Sequence, residues 1–234
     1  MNKLAVVTGG TKGIGRAIIE RFAAAGFDIA TCARKEADLN ELKSTIESKH
    51  PVKVTPFVAD MSNKDHIQAF AKIVMQLPQP VEVLVNNAGY FIPGSVLDEA
   101  DGALESMINT NLYSAYHLSR LLVPSMRARQ SGHVFNMCSI ASIMAYPNGG
   151  SYAISKFALL GFSKVLREEL KTHGVRVTSV LPGATLTASW DGVDLPDERL
   201  MKPEDVAETI FSAYSISKRS VVEEILIRPQ LGDL

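Results

Sequence analysis

Leu4-Ala5-Val6-Val7-Thr8-Gly9-Gly10-Thr11-Lys12-Gly13-Ile14-Gly15 decides the fold class. An unbroken apolar run reads as a strand covered on both faces, and the glycine turn after it opens a helix over residues 13–25. Gly26 ends that helix. The same alternation continues along the chain. Strands are expected at 27–32, 52–58, 81–85, 133–138, 175–181 and 221–227. Helices are expected over 36–49, from a cap at Ser62 to Leu77, and over 101–129, 151–172 and 202–216. Pro51, Pro78-Gln79-Pro80 and Pro229 punctuate the pattern. Val-, Ile- and Leu-rich strands separated by helices imply right-handed crossovers and a parallel sheet. Without an internal repeat or a dividing linker, the chain reads as one doubly wound α/β domain over residues 1–234.

Composition sets the outer limits. The chain has 234 residues, 46% hydrophobic and 21% charged, enough to bury a large core. Lys+Arg 24 against Asp+Glu 25 leaves a net charge of -1, so no bulk charge points to nucleic acid or an acidic membrane as partner. No apolar run approaches the ~20 residues of a membrane span. Met1-Asn2-Lys3 passes straight into the first strand without a signal-peptide pattern, and a cytoplasmic location is expected. Cys32 and Cys138 form no disulfide framework, and His50, His66, His117, His133 and His173 form no ligand spacing, so no metal is expected.

The glycine turn carries the first chemical reading. Glycine supplies the positive φ of a tight turn and lets the backbone approach a pyrophosphate at a helix N-terminus. A glycine cluster alone is weak; one after the first strand of an alternating α/β chain points to a dinucleotide. An NAD site would place a carboxylate at the end of the second strand. Here the sequence is Cys32-Ala33-Arg34-Lys35, and Arg34 offers a fork suited to a phosphate, with Lys12 as a second positive charge. NADP(H) is therefore expected over NAD(H). Asp60, after the third strand, is placed either for an adenine amino group or as a helix cap. Asn86-Asn87-Ala88-Gly89 ends the fourth strand on the same edge, where ligands gather in open α/β sheets.

Tyr152 and Lys156 are four apart on one helical face, and Ser139 ends the fifth strand. Together they fit carbonyl reduction: a phenol to give a proton, an ammonium that together with a cofactor's positive nicotinamide ring would lower its ordinary pKa of ~10, and a hydroxyl on the substrate oxygen. The pair alone says little, because a packed tyrosine beside a solvated lysine has the same spacing. Cys138 reads as a small buried hydrophobe. Ser139 lacks the G-x-S-x-G elbow of a hydrolase nucleophile.

The chain resembles the short-chain dehydrogenase/reductase family from first strand to last. TGGTKGIG at Thr8 to Gly15, NNAG at Asn86 to Gly89, Asn111, Ser139, YAISK at Tyr152 to Lys156 and PGATLT at Pro182 to Thr187 carry the resemblance. It implies a Rossmann-type seven-stranded parallel sheet of order 3-2-1-4-5-6-7 and a catalytic set Asn111, Ser139, Tyr152 and Lys156. Tyr152 would be the general acid/base, Ser139 would polarise the carbonyl, Lys156 would bind the nicotinamide ribose, and Asn111 would hold a relay water. Asn111's role comes from the resemblance alone, as does Thr187's as partner of the carboxamide. The expected cofactor contacts are Gly9, Lys12, Gly13, Ile14, Gly15, Arg34, Asp60, Met61, Asn87, Ala88, Gly89, Tyr152, Lys156, Pro182, Thr185 and Thr187.

The leading functional expectation is an NADPH-dependent reductase of small carbonyl compounds, reversible as an alcohol dehydrogenase. Alternatives are a cofactor-binding regulatory module and a dehydratase or epimerase on the same scaffold. Substrate choice would lie in segments 90–97, 143–150 and 186–201, with Tyr90, Phe91, Tyr146 and Trp190 as candidate lining or as packing residues. The resemblance implies a homodimer or homotetramer paired through helices 101–129 and 151–172.

Overall fold

The computed structural model describes residues 2–190, 192 and 195–233. Its strands are β1 (Leu4–Thr8), β2 (Asp28–Ala33), β3 (Val54–Val58), β4 (Val81–Asn86), β5 (Gly132–Met137), β6 (Val175–Pro182) and β7 (Glu224–Ile227). They form one seven-stranded sheet in the order β3-β2-β1-β4-β5-β6-β7, and every neighbouring pair is parallel. The chain direction across the sheet reverses at β1, which pairs with both β2 and β4.

The opening run explains why. All of β1 is buried, and its side chains alternate between two cores. Ala5 and Val7 join Ile18, Phe22 and Ile210 on one face; Leu4 and Val6 join Ile67, Phe70 and Leu118 on the other. The first face is covered by α1 (Gly13–Ala24), α2 (Glu36–Lys49) and α7 (Pro203–Ser215). The second is covered by α3 (Lys64–Met75), α5 (Ser114–Arg129) and α6 (Gly150–Leu170). Burying a large apolar side chain stabilises by about 1.5–3 kcal/mol, so a polar residue at Leu4, Val6 or Val7 would be costly.

Several elements differ from the sequence expectation. The cap of α3 is Asn63, whose Oδ1 accepts from Asp65 N at 2.8 Å and His66 N at 3.3 Å. Ser62 is drawn backwards instead, giving both its amide and hydroxyl to Asp60 Oδ1. The helix expected over 101–129 is three pieces: α4 (Ala103–Met107), a π-helical stretch Ile108–Tyr113, and α5. β3 begins late because Val52 N turns back to His50 O. β7 is short because Val222 O accepts from the Thr178 side chain. The 182–201 segment carries short 3-10 turns at Ala188–Trp190 and Asp197–Arg199 and a bridge between Thr185 and Met201. Asp191, Val193 and Asp194 of that segment lie outside the described residues, as do the terminal Met1 and Leu234. Among the described residues no helix is long and apolar enough to cross a membrane.

Candidate active site

The glycine turn hangs on the end of β2, with Gly9 N donating to Cys32 O at 3.0 Å. Gly9 and Gly13 take φ of 66° and 53°, where a side chain would be strained. At Gly15 a Cβ would lie 2.4 Å from Gly9 O and 2.5 Å from Asn87 Nδ2, so only glycine lets the turn close. Asn87 laces the next strand end to this turn, donating from Nδ2 to the carbonyls of Thr8 and Gly9 at 2.9 and 3.1 Å. Thr8 Oγ1 accepts in return from Asn87 N and Ala88 N, each at 2.9 Å. A Cβ at Gly13 would sit 3.1 Å from Thr187 Cγ2, which brings the 182–187 loop to the same rim. Ile14 packs half-buried against the core behind the turn.

These residues fit a dinucleotide. Lys12 occupies the cap position of α1 and makes no side-chain cap bond there, the arrangement that an anion at a helix N-terminus requires. Arg34 is exposed just past β2. Lys12 is exposed as well, its Nζ 3.8 Å from Asp38 Oδ2. Asp60 is held below the usual carboxylate range, first by the Ser62 amide and further by Arg34, so the two lie in one neighbourhood. The Met61 side chain is buried in the second core, leaving its backbone for a ligand. Pro182 ends β6, and Thr185 is buried with its hydroxyl donating to Gly183 O at 3.0 Å.

The four residues expected to be catalytic come from three parts of the chain. Tyr152 and Lys156 stand on α6, Ser139 follows β5, and Asn111 lies in the π-helical stretch. A π turn carries one more residue than an α turn, a local widening often found at functional sites. Asn111 is 1% exposed; its Oδ1 accepts from Tyr90 N at 2.9 Å and its Nδ2 donates to Tyr90 O at 3.1 Å and Ser155 Oγ at 2.9 Å. Ser155 passes the contact on, donating to Tyr152 O at 2.7 Å. Gly89 fits between two of the four: a Cβ there would lie 3.0 Å from Asn111 Oδ1 and 3.5 Å from Lys156 Nζ. Ser139 is buried in a tight turn, its Oγ accepting from Ala141 N and its amide donating to Ser142 Oγ, both at 3.1 Å.

Lys156 Nζ lies 5.7 Å from the Tyr152 ring centroid and donates to Met137 O at 2.7 Å. Burial lowers its ammonium to about 8. The Tyr152 phenol moves opposite to the sequence expectation. Burial pushes it above its ordinary value, opposed by a hydrogen bond from Ser139. Desolvation of the phenolate is the larger effect, and the Lys156 ammonium is turned toward Met137 O.

Around this group Phe91 packs edge-on to Tyr152, ring centroids 4.8 Å apart. Tyr90 OH meets Ser106 Oγ at 2.5 Å, and burial pushes Tyr146 up to about 12. The Cys138 thiol is also driven to about 12 by burial, which fits a small hydrophobe rather than a nucleophile. Among the described residues no cluster of three His, Cys, Asp or Glu could hold a metal ion. The sequence reading passed over Ser155 and Ser142; Ser155 was legible in principle, three residues after Tyr152 on the same helical face.

Residues 3–196 match the short chain dehydrogenase family, and the chain belongs to that family of oxidoreductases, the short-chain dehydrogenases/reductases. It is 33% identical over 242 residues to a sepiapterin reductase of Chlorobaculum tepidum, covering 100% of this chain and 99% of that protein. An alcohol dehydrogenase of the archaeon Thermococcus sibiricus, solved with 5-hydroxy-NADP, superposes with a TM-score of 0.92 at 26% identity, over 98% of this chain and 97% of that one. L-sorbose reductase of Gluconobacter frateurii, solved with NADPH and L-sorbose, gives a TM-score of 0.88 at 29% identity, over 97% and 95%. The sheet order is the one that the family resemblance implies.

Proposed function

We propose that the chain is a single-domain NADPH-dependent reductase of small ketones or aldehydes, running in reverse as an alcohol dehydrogenase. The observation that supports this reading is the close approach of Gly89, at the end of the Asn87-Ala88-Gly89 turn, to Asn111 Oδ1 and Lys156 Nζ, with Tyr152 one helical turn before Lys156 on α6. When bound, NADPH supplies a hydride to the carbonyl carbon. The Ser139 hydroxyl donates a hydrogen bond to the carbonyl oxygen and holds it against Tyr152. As negative charge grows on that oxygen, Tyr152 gives up its phenolic proton. Lys156, charged below about pH 8, stabilises the phenolate left behind and holds ribose hydroxyls. Asn111 fixes Tyr90 and, through Ser155, the turn that carries Tyr152; the family resemblance gives it a relay water as well.

Gly9, Gly13, Ile14 and Gly15 would hold the pyrophosphate, with Asn87, Ala88 and Gly89 alongside. Asp60 and Met61 would face the adenine, and Pro182, Thr185 and Thr187 the carboxamide end. Arg34 and Lys12 would take the extra phosphate of NADPH, and the NADP-type ligands of the two structural relatives support that choice. NADPH is held reduced in cells, which favours the reductive direction. The enzyme works in the cytoplasm as a homodimer or homotetramer, pairing α5 and α6 through exposed Tyr116, Ile154, Phe157 and Val165.

Ketones and aldehydes assayed with NADPH and with NADH, followed by nicotinamide absorbance, test this reading. Stoichiometric NADPH loss is expected, whereas a dehydratase or epimerase would regenerate it. Tyr152→Phe should lower kcat by about 10²–10⁴ and leave NADPH affinity intact. Unchanged turnover in that variant removes the proposed acid.

A further inference from the structure

The first turn of α6 contains no acidic residue, and Gly149 before it makes no side-chain cap bond. Its amides nonetheless have an acceptor, delivered from far upstream. Glu99 Oε1 accepts from Ser151 N at 2.8 Å, and Glu99 Oε2 accepts from the Ser151 hydroxyl. The carboxylate thus satisfies a helix-terminal donor and sets a negative charge at the positive end of the helix dipole.

The surroundings are shaped around this contact. A Cβ on Gly150 would lie 1.8 Å from Glu99 Oε1 and 2.4 Å from Gly94 O, and one on Gly94 would lie 2.6 Å from Glu99 Cγ. Two glycines therefore clear the way for one carboxylate. Gly94 N also donates to Asn148 O at 3.0 Å, so the two loops are stitched together beside it. The segment from Tyr90 to Glu99 is fastened at both ends, by Asn111 on the Tyr90 backbone and by Glu99 on Ser151. Within it Phe91 lies against the Tyr152 ring.

We propose that Glu99 is a positioning residue for Tyr152. Its carboxylate clamps the first turn of α6 to the loop after β4, and so sets the phenol against Ser139, which is carried by a separate turn. The inference rests on the reading of Tyr152 as proton donor. Lys156 lies one turn deeper and has its own anchor at Met137 O, so loosening the clamp moves Tyr152 more than Lys156. The glycine turn makes none of the contacts described for the clamp, so cofactor affinity is expected to survive its loss.

Glu99→Ala, Glu99→Gln and Ser151→Ala test the clamp. Glu99→Ala should lower kcat by roughly 10- to 100-fold, the scale of a catalytic group displaced by about an ångström, with NADPH affinity within about twofold of wild type. Glu99→Gln keeps an acceptor for Ser151 N and should recover most of the lost kcat. Ser151→Ala, which keeps the amide bond and folds more safely, should fall between them. In enzyme without cofactor, amide exchange at Ser151 and Tyr152 should accelerate in Glu99→Ala while β5 stays protected. Wild-type kcat in Glu99→Ala, no recovery in Glu99→Gln, or a parallel loss of NADPH affinity overturns the proposal. If the wild-type protein reduces no carbonyl compound, the functional reading fails; the exchange data still decide the clamp, and unchanged protection refutes it.

Discussion

Lys156 Nζ donates to the carbonyl oxygen of Met137 at 2.7 Å, pinning α6 to the end of β5 through a charge that is 6% exposed. The site thereby stores a cost. Lowering an ammonium from 10.5 to about 8 corresponds to ~3 kcal/mol of unfavourable burial, at 1.36 kcal/mol per unit. Replacing Lys156 by Met removes that cost and also removes the hydrogen bond to the Met137 carbonyl, which returns about 1–2 kcal/mol.

Lys156→Met should therefore be inactive and more heat-stable at pH 7, by about 2–6 °C. Below about pH 8 the lysine is charged in folded and unfolded chains alike, so the burial cost is present in full. Between about 8 and 10.5 the folded protein gives up its proton first, and wild-type stability rises with pH. The advantage of the variant should shrink across that window. Thermal melts at pH 7 and pH 10 check it; a variant less stable than wild type at pH 7 contradicts it.

Reduction and oxidation should have separate pH optima. Burial raises the Tyr152 phenol, and the protonated form is the one that reduction uses. The kcat/KM for ketone reduction should be level near neutrality and fall on the alkaline side. Alcohol oxidation needs the phenolate and should rise over the same range. Coincident optima for the two directions would exclude Tyr152 as the titrating group.

Cofactor choice should respond to three side chains. Arg34→Ala and Lys12→Ala should weaken NADPH binding while sparing NADH. Asp38 faces Lys12 at 3.8 Å and sets a negative charge beside the expected phosphate. Asp38→Asn should tighten NADPH by about threefold, a modest gain because the pair is solvent-screened. Equal changes for both cofactors, measured by fluorescence titration, would place the phosphate elsewhere.

His133 should make the fold acid-sensitive. Its ring is 0% exposed, and its Nε2 lies 2.7 Å from Thr178 Oγ1, whose own proton goes to Val222 O. Nε2 therefore carries the hydrogen, and Nδ1 is buried without a partner among the described residues. Burial, and secondarily Arg176, holds the imidazole well below its usual range. The unfolded chain takes up a proton near its ordinary 6.5 and the folded chain does not, so stability is lost as pH falls below that value. The loss should approach about 1.4 kcal/mol per pH unit. His133→Gln should flatten the slope in urea titrations between pH 6.5 and 5; an unchanged slope would assign it to other groups.

Much of this molecule was legible in the sequence because its periodicities are local. The alternation of β1 between two cores follows from an unbroken apolar run, and the glycine turn from residues that alone tolerate its φ values. The break at Ile108–Tyr113 was not legible, since a π turn leaves the apolar pattern of a helix almost unaltered. The Asn63 cap was missed because Ser62 is an equally good capping residue, and only the competing bonds to Asp60 decide between them.

The sequence by itself determined the layering, the strand-end turns and the residue types gathered there, since each depends on spacing within a few residues. Tertiary structure alone decided the direction of the Tyr152 shift, the partner of Lys156 and the reach of Glu99 to Ser151. Burial and dielectric belong to the assembled interior, and a contact between residues 52 apart along the chain has no local signature until the loops meet.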